Sequence, residues 1–245
     1  MITVRTPKEL YHAGGPTARG SFEGLWHFSF DSYYDPEYVN FGTLRVFNDD
    51  TISEGGEWGI HPHRRNEVLT YVMHGRFTHE DEHGIGSTME KGDMQHTTIG
   101  TGMYHNEINA DPNDKMRFIQ MWFFPETEGL KPSVTQHCPD KAERANRLLL
   151  LASNDMEAPL RIRSDANAYV GYMEDAKEIA FSMRKGWGVY LAALEGGDLY
   201  ANERKVPERG AAKIEDEEEI RIGADGGVEL LLLEVKLDAP YIPKG

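Results

Sequence analysis

The chain has 245 residues, with 26 basic against 41 acidic side chains and a net charge of −15 at pH 7. So acidic a surface repels phosphate backbones, which argues against direct nucleic-acid binding, and no stretch reaches the roughly 18 apolar residues of a membrane span. One cysteine, Cys138, rules out an internal disulfide, and with no apolar leader near Met1 the composition predicts a cytoplasmic protein held by its apolar core.

Residues 1–20 scatter Pro7, Gly14, Gly15, Pro16 and Gly20 among polar side chains and read as an irregular leader. Residues 25–30 alternate and are aromatic, which predicts a strand, and Asp35-Pro36 marks the loop after it. Residues 43–47 predict the next strand, with Asn48-Asp49-Asp50 as its turn. Residues 67–73 are rich in β-branched and aromatic side chains and predict a central strand. His74-Gly75 then turns the chain into 76–82, whose charges predict a solvated edge carrying His79, with His83 at the next turn. Residues 116–124 form a long apolar strand ending at Pro125. Turn signals recur at about 8- to 12-residue intervals, the spacing of an antiparallel barrel.

Residues 125–146 hold Pro125, Gly129, Pro132 and Pro139 among charges and read as a connection, with a short helical turn at its end. Strand candidates resume at 147–152, 160–163, 168–173, 178–183, 187–194, 198–202, 219–222 and 228–237. The last is an almost unbroken apolar run that suits helix or strand; its β-branched residues and the neighbouring Gly226-Gly227 favour strand. The run 215–219 is acidic and predicts a solvated turn. The domains predicted are 1–130, a connection over 131–146, and 147–245. Past residue 147 there is no histidine, so an imidazole-based site belongs to the first domain.

The chemistry concentrates between Gly55 and Glu107. His61-Pro62-His63 and His105-Asn106-Glu107 are each preceded by glycine turns, at Gly55, Gly56 and Gly59 and at Gly100 and Gly102. Side chains two apart on a strand share a face with Cα atoms about 6.6 Å apart. Two such segments brought together offer three imidazoles and a carboxylate, a donor set that suits a divalent transition metal such as Fe(II). On a six-coordinate ion, four protein ligands leave two positions for a substrate oxygen and dioxygen. Of the remaining histidines, His96 suits either a cavity wall or packing, while His12, His27, His74 and His137 lack a partner at ligand spacing. Trp58, Met103, Tyr104 and Phe28 are candidates for cavity walls or core alike.

The run from Trp58 through His61, His63 and Glu67, and the later run from Gly92 to Glu107, resemble the two metal-binding motifs of the pirin family of the cupin superfamily. The segment His27-Phe-Ser-Phe30 with Tyr33-Tyr-Asp-Pro36 resembles pirins as well. The likeness is strongest over 20–125 and thin but compatible after 147. It implies an all-β fold of two cupin barrels, the second without metal. It implies one metal ion, Fe(II) favoured with Mn, Co, Ni, Cu or Zn also compatible, held by His61, His63, His105 and Glu107. The general cupin pattern takes its glutamate from the first motif, where Glu67 stands; the pirin pattern leaves that residue off the metal. The activity implied is a dioxygenase cleaving a flavonol such as quercetin with O2, Glu107 accepting the phenolic proton. Two other readings stay open: an iron-dependent redox regulator that binds a partner protein, and a metal-stabilised protein without turnover. The two barrels pair within one chain, which predicts a monomer.

Overall fold

The computed structural model describes residues 1–82, 86–174 and 177–238. Two seven-stranded sheets lie back to back, each roofed on its far side by a four-stranded sheet. The first seven-stranded sheet runs in the order Ser133–His137, Met94–Thr98, Glu67–His74, Met116–Phe123, Leu44–Ile52, Ser21–Trp26, Tyr11–Pro16. Its roof contains His61–His63, Met103–Asn109, Phe77–Asp81 and Gly86–Met89 in that order. In the other half, Trp187–Glu195, Val228–Lys236 and Ala166–Met173 form the centre of the large sheet. Its roof comprises Glu178–Ser182, Glu219–Ala224, Leu199–Ala201 and Arg204–Val206. The predicted all-β pair of barrels is the fold observed. The apolar run near the end is a strand, Val228–Lys236, central to its sheet and buried over nearly all its length.

Strand parity divides the labour of the first large sheet. Directly opposed residues of an antiparallel pair share a face, and successive residues alternate. Trp26 opposes Asn48, Asn48 opposes Gln120, and Gln120 opposes Thr70, so these point together into the first barrel. Phe47, Met121 and Leu69 oppose one another on the other face and join Leu231, Leu233 and Ala192 in the largest apolar cluster, between the barrels. The second barrel is filled by Val189, Leu191, Leu199, Ile220, Ile222, Leu230 and Leu232. Its interior is a packed hydrocarbon core, whereas the first barrel places polar side chains inside.

Four expectations about local structure are corrected. The supposed leader contributes two strands: Tyr11–Pro16 extends the first sheet, while Ile2–Arg5 pairs with Ala211–Ile214 in the second half. Ile2 and Val4 find their apolar partners only there, far along the chain. Within the 131–146 connection, Ser133–His137 pairs with Met94–Thr98 on the edge of the first sheet. Pro132 and Pro139 flank that strand without entering it, which an edge tolerates. Asn48-Asp49-Asp50 is no turn but the middle of Leu44–Ile52. Finally, Phe77–Asp81 is an interior strand of the roof, with Phe77 and His79 buried on one face and Glu80 exposed on the other. His83 lies outside the described residues.

Candidate metal centre

The roof strand His61–His63 pairs antiparallel with Met103–Asn109, placing His61 opposite His105 and His63 opposite Met103. Parity turns the three imidazoles to one face. Their ring centroids are 4.6 to 5.0 Å apart, and one nitrogen from each lies within 4.8 Å of the others. The turn before them also fixes a tautomer. The Gly59 carbonyl lies 2.7 Å from His61 Nδ1, so that nitrogen carries the proton and Nε2 keeps its lone pair. Gly59 has φ +98°, and a Cβ there would sit 2.7 Å from that of Ala18, so the position admits glycine alone.

His105 is oriented from behind by a residue the sequence placed on a wet edge. His79, 2 % exposed, places its Nε2 2.9 Å from His105 Nδ1, so that with Nδ1–H as the donor His105 Nε2 keeps its lone pair. His105 Nε2 is left buried with no hydrogen-bond partner among the described residues. An orphaned imidazole nitrogen beside two more imidazoles is what a metal-binding site requires of its ligands. Burial pushes His63 and His79 down to about 4 and His105 down to about 2, with the neighbouring imidazoles adding to the effect. His63, His79 and His105 are therefore neutral at pH 7, the form in which an imidazole coordinates a metal. The alternation of Phe77 and His79 was the signal for this placement, but the adjacent Glu80, Asp81 and Glu82 obscured it. His79→Phe is expected to lower divalent-metal affinity by about 10- to 100-fold, as for other supporting residues, in a chelator competition.

Glu107 shares the histidines' face, opposite His79. Its carboxylate stands outside the 4.8 Å set and accepts a hydrogen bond from Gln120 Nε2. Gln120 Oε1 in turn accepts Trp122 Nε1 at 2.8 Å, so a fixed relay sets the carboxylate's position. Burial raises the Glu107 pKa against the opposing pull of His61 and the Gln120 hydrogen bond. Glu107, His61 and His63 open onto a cavity of about 310 Å³. Phe22, Trp26, Phe30, Trp58 and Trp122 wall it, and Asn48, Asp50 and Gln120 give it polar points. The Asp50 carboxyl is pushed up to about 8 by burial, which, with the nearby Asp49 and Glu107, outweighs the Trp26 hydrogen bond.

Glu67 lies elsewhere. It opposes Phe123 on the inter-barrel face and is fully buried there. His96 Nε2 lies 2.7 Å from its Oε2, Thr98 donates to the same oxygen at 3.1 Å, and so does the Arg163 backbone N–H at 2.9 Å. It is a strut between the two halves, which also resolves His96 as packing. Among the candidate wall residues only Trp58 lines the cavity; Met103 packs with Val46 and Trp122, Phe28 sits between the barrels, and Tyr104 faces solvent. His27 is buried against Tyr190 between the barrels, and His12 and His74 are exposed. The exposed Cys138 thiol is raised by burial and by Asp93, opposite to a reactive thiolate.

Two β-barrels packed through their large sheets, with a histidine cluster inside one and a hydrocarbon core inside the other, define a bicupin. Residues 11–123 match the family model described as Pirin, and residues 149–235 match that of the quercetinase C-terminal cupin domain. The chain is 35% identical to a provisionally named quercetin 2,3-dioxygenase of Pseudomonas aeruginosa, over 96% of this chain and all of the relative. It is 31% identical to a quercetin 2,3-dioxygenase of Escherichia coli K12, over 96% of this chain and 99% of that one. The crystal structure of the bacterial pirin YhhW from Escherichia coli in complex with nickel(II) superposes with a TM-score of 0.88 at 29% identity, covering 96% and 99% of the two chains. The chain belongs to the pirin family. No helix among the described residues is long and apolar enough to cross a membrane.

Proposed function

We propose that this pirin is a metal-dependent dioxygenase that cleaves a flavonol such as quercetin. The observation that carries the reading is the aromatic-walled cavity of about 310 Å³ opening onto the histidine cluster. That volume falls at the low end of the range for small-molecule sites. A redox regulator that reads out its iron through surface contacts needs no such chamber, and for that reason turnover is preferred. The names of the relatives support the same activity.

In this reading His61 and His105 would hold one divalent ion through Nε2, His63 through the nitrogen turned to the cluster, and Glu107 would supply a carboxylate oxygen. Fe(II) is the favoured ion. When bound it supplies Lewis-acid charge neutralisation and a place for dioxygen. The chain's own residues do the rest. Trp26, Trp58 and Trp122 hold a planar aromatic and exclude water from it. The second oxygen of Glu107, the one not engaged by Gln120, accepts the hydroxyl proton of the flavonol. Burial raises the Glu107 pKa and so strengthens it as a proton acceptor. Ring cleavage incorporates both oxygen atoms of O2 and releases carbon monoxide, with no further reductant. We place the reaction in the cytoplasm of the cell and in a single chain. Oxygen uptake with quercetin by the Fe(II)-reconstituted protein tests the proposal.

A further inference from the structure

The cavity has a polar group that the metal site does not use. Asn48 and Asp50 stand two apart on Leu44–Ile52, on the sheet that faces the histidine-bearing roof. They are 1 % and 5 % exposed, and both line the cavity. Trp26 Nε1 donates to Asp50 Oδ1 at 3.0 Å and so locks the carboxyl in place. Beside it, Asn48 Oδ1 is a buried acceptor with no hydrogen-bond partner among the described residues. A Cβ at Gly24, which opposes Asp50, would lie 2.1 Å from Asp50 Oδ1, so a glycine there makes room for the carboxyl. Asp49 between them faces away, toward Arg117 and Arg209, so parity alone decides which of three similar side chains meets a ligand. Buried polar groups without partners are costly and rare, and where they line a cavity they mark where a ligand's polar atoms belong.

We infer that Asn48 and Asp50 form a hydroxyl-recognition point that selects polyhydroxylated aromatic ligands over less hydroxylated ones. Asn48 Oδ1 accepts the hydroxyl proton and the neutral Asp50 carboxyl donates to the hydroxyl oxygen. The aromatic walls grip any planar ring system; this pair reads a substituent away from the one presented to His61, His63 and Glu107. Both are specificity residues, and the inference rests on the flavonol reading above.

Zinc-loaded protein kept free of dioxygen, the co-substrate, permits binding to be read by quenching of the cavity tryptophans. The ligands are quercetin and 3-hydroxyflavone, which lacks the additional ring hydroxyls. The wild-type protein is expected to favour quercetin by about tenfold or more, the factor expected for one well-made hydrogen bond in a desolvated site. Asp50→Leu removes most of that preference by weakening quercetin alone, 3-hydroxyflavone staying within about twofold. Asp50→Asn, which keeps a donor and the Trp26 contact, restores it, and Asn48→Val repeats the selective loss should Asp50→Leu fail to fold. Equal weakening of both ligands, or an unchanged preference in Asp50→Leu and Asn48→Val, overturns the inference while flavonol binding stands. Failure of the wild-type protein to bind either ligand overturns the flavonol reading itself, and this inference with it.

Discussion

A His61→Ala/His63→Ala variant is expected to bind no stoichiometric divalent metal and to consume no oxygen with any flavonol, while remaining folded. The two rings supply two of the three clustered imidazole donors, and the variant keeps only His105 of that cluster, with the Glu107 carboxylate outside it. The loss therefore exceeds the roughly 10- to 100-fold typical of a supporting residue. The fold survives because the pair sits on a three-residue edge strand of the roof and belongs to none of the apolar clusters. Metal content after dialysis, beside the thermal unfolding midpoint of the metal-free protein, checks both halves of the expectation. One equivalent of ion retained by the double variant would place the site elsewhere.

The largest stability effect is expected at Asp49. This carboxylate, on the inter-barrel face, takes a paired hydrogen bond from Arg117 at 2.8 and 2.9 Å and a third, at 2.8 Å, from Arg209 of the second half. Burial alone would raise its pKa; the hydrogen bonds and charges of Arg117, then Arg209, outweigh burial and hold it below the usual carboxylate range. Asp49→Ala leaves two guanidinium groups facing each other without their anion. Removing one partner of a buried pair costs about 3–5 kcal/mol, and the low end applies because both arginines keep some water contact. The sign of the pH dependence follows from the depressed pKa. The contribution is complete above the unfolded-state value of about 4 and is lost as the pH falls through the lower folded value. Urea unfolding at pH 7 and at pH 3 is expected to give wild type and variant well separated at the first, with a narrower gap at the second, which lies below the unfolded-state value. A variant as stable as wild type at pH 7 would show that the three charges merely cancel their own desolvation.

Sequence patterns revealed most of the long strands, because these are the ones whose apolar content is high whichever face they use. They also disclosed the three histidines, since strand spacing makes His-x-His and His-x-Glu one-faced wherever they pair. Short or polar strands were hidden. Asn48-Asp49-Asp50 carries three residues that strands disfavour, and only tertiary partners, Trp26 for Asp50 and two arginines for Asp49, make an extended conformation tolerable there. That misreading concealed the polar floor of the cavity. The role of His79 was hidden in the same way by the acidic residues that follow it, of which Glu80 points to the opposite, exposed face. Glu67 is the opposite case: its place near the histidine pair in sequence suggests a ligand, but parity turns it toward Arg163 and His96.

The most direct test of the account is oxygen uptake with quercetin by the Fe(II)-reconstituted protein, with carbon monoxide measured in the same vessel. Quercetin-dependent uptake is expected, with carbon monoxide released in equal amount and both lost in the His61→Ala/His63→Ala variant. Stoichiometric iron with no oxygen consumed would contradict it and would leave a metal centre that serves regulation in place of turnover.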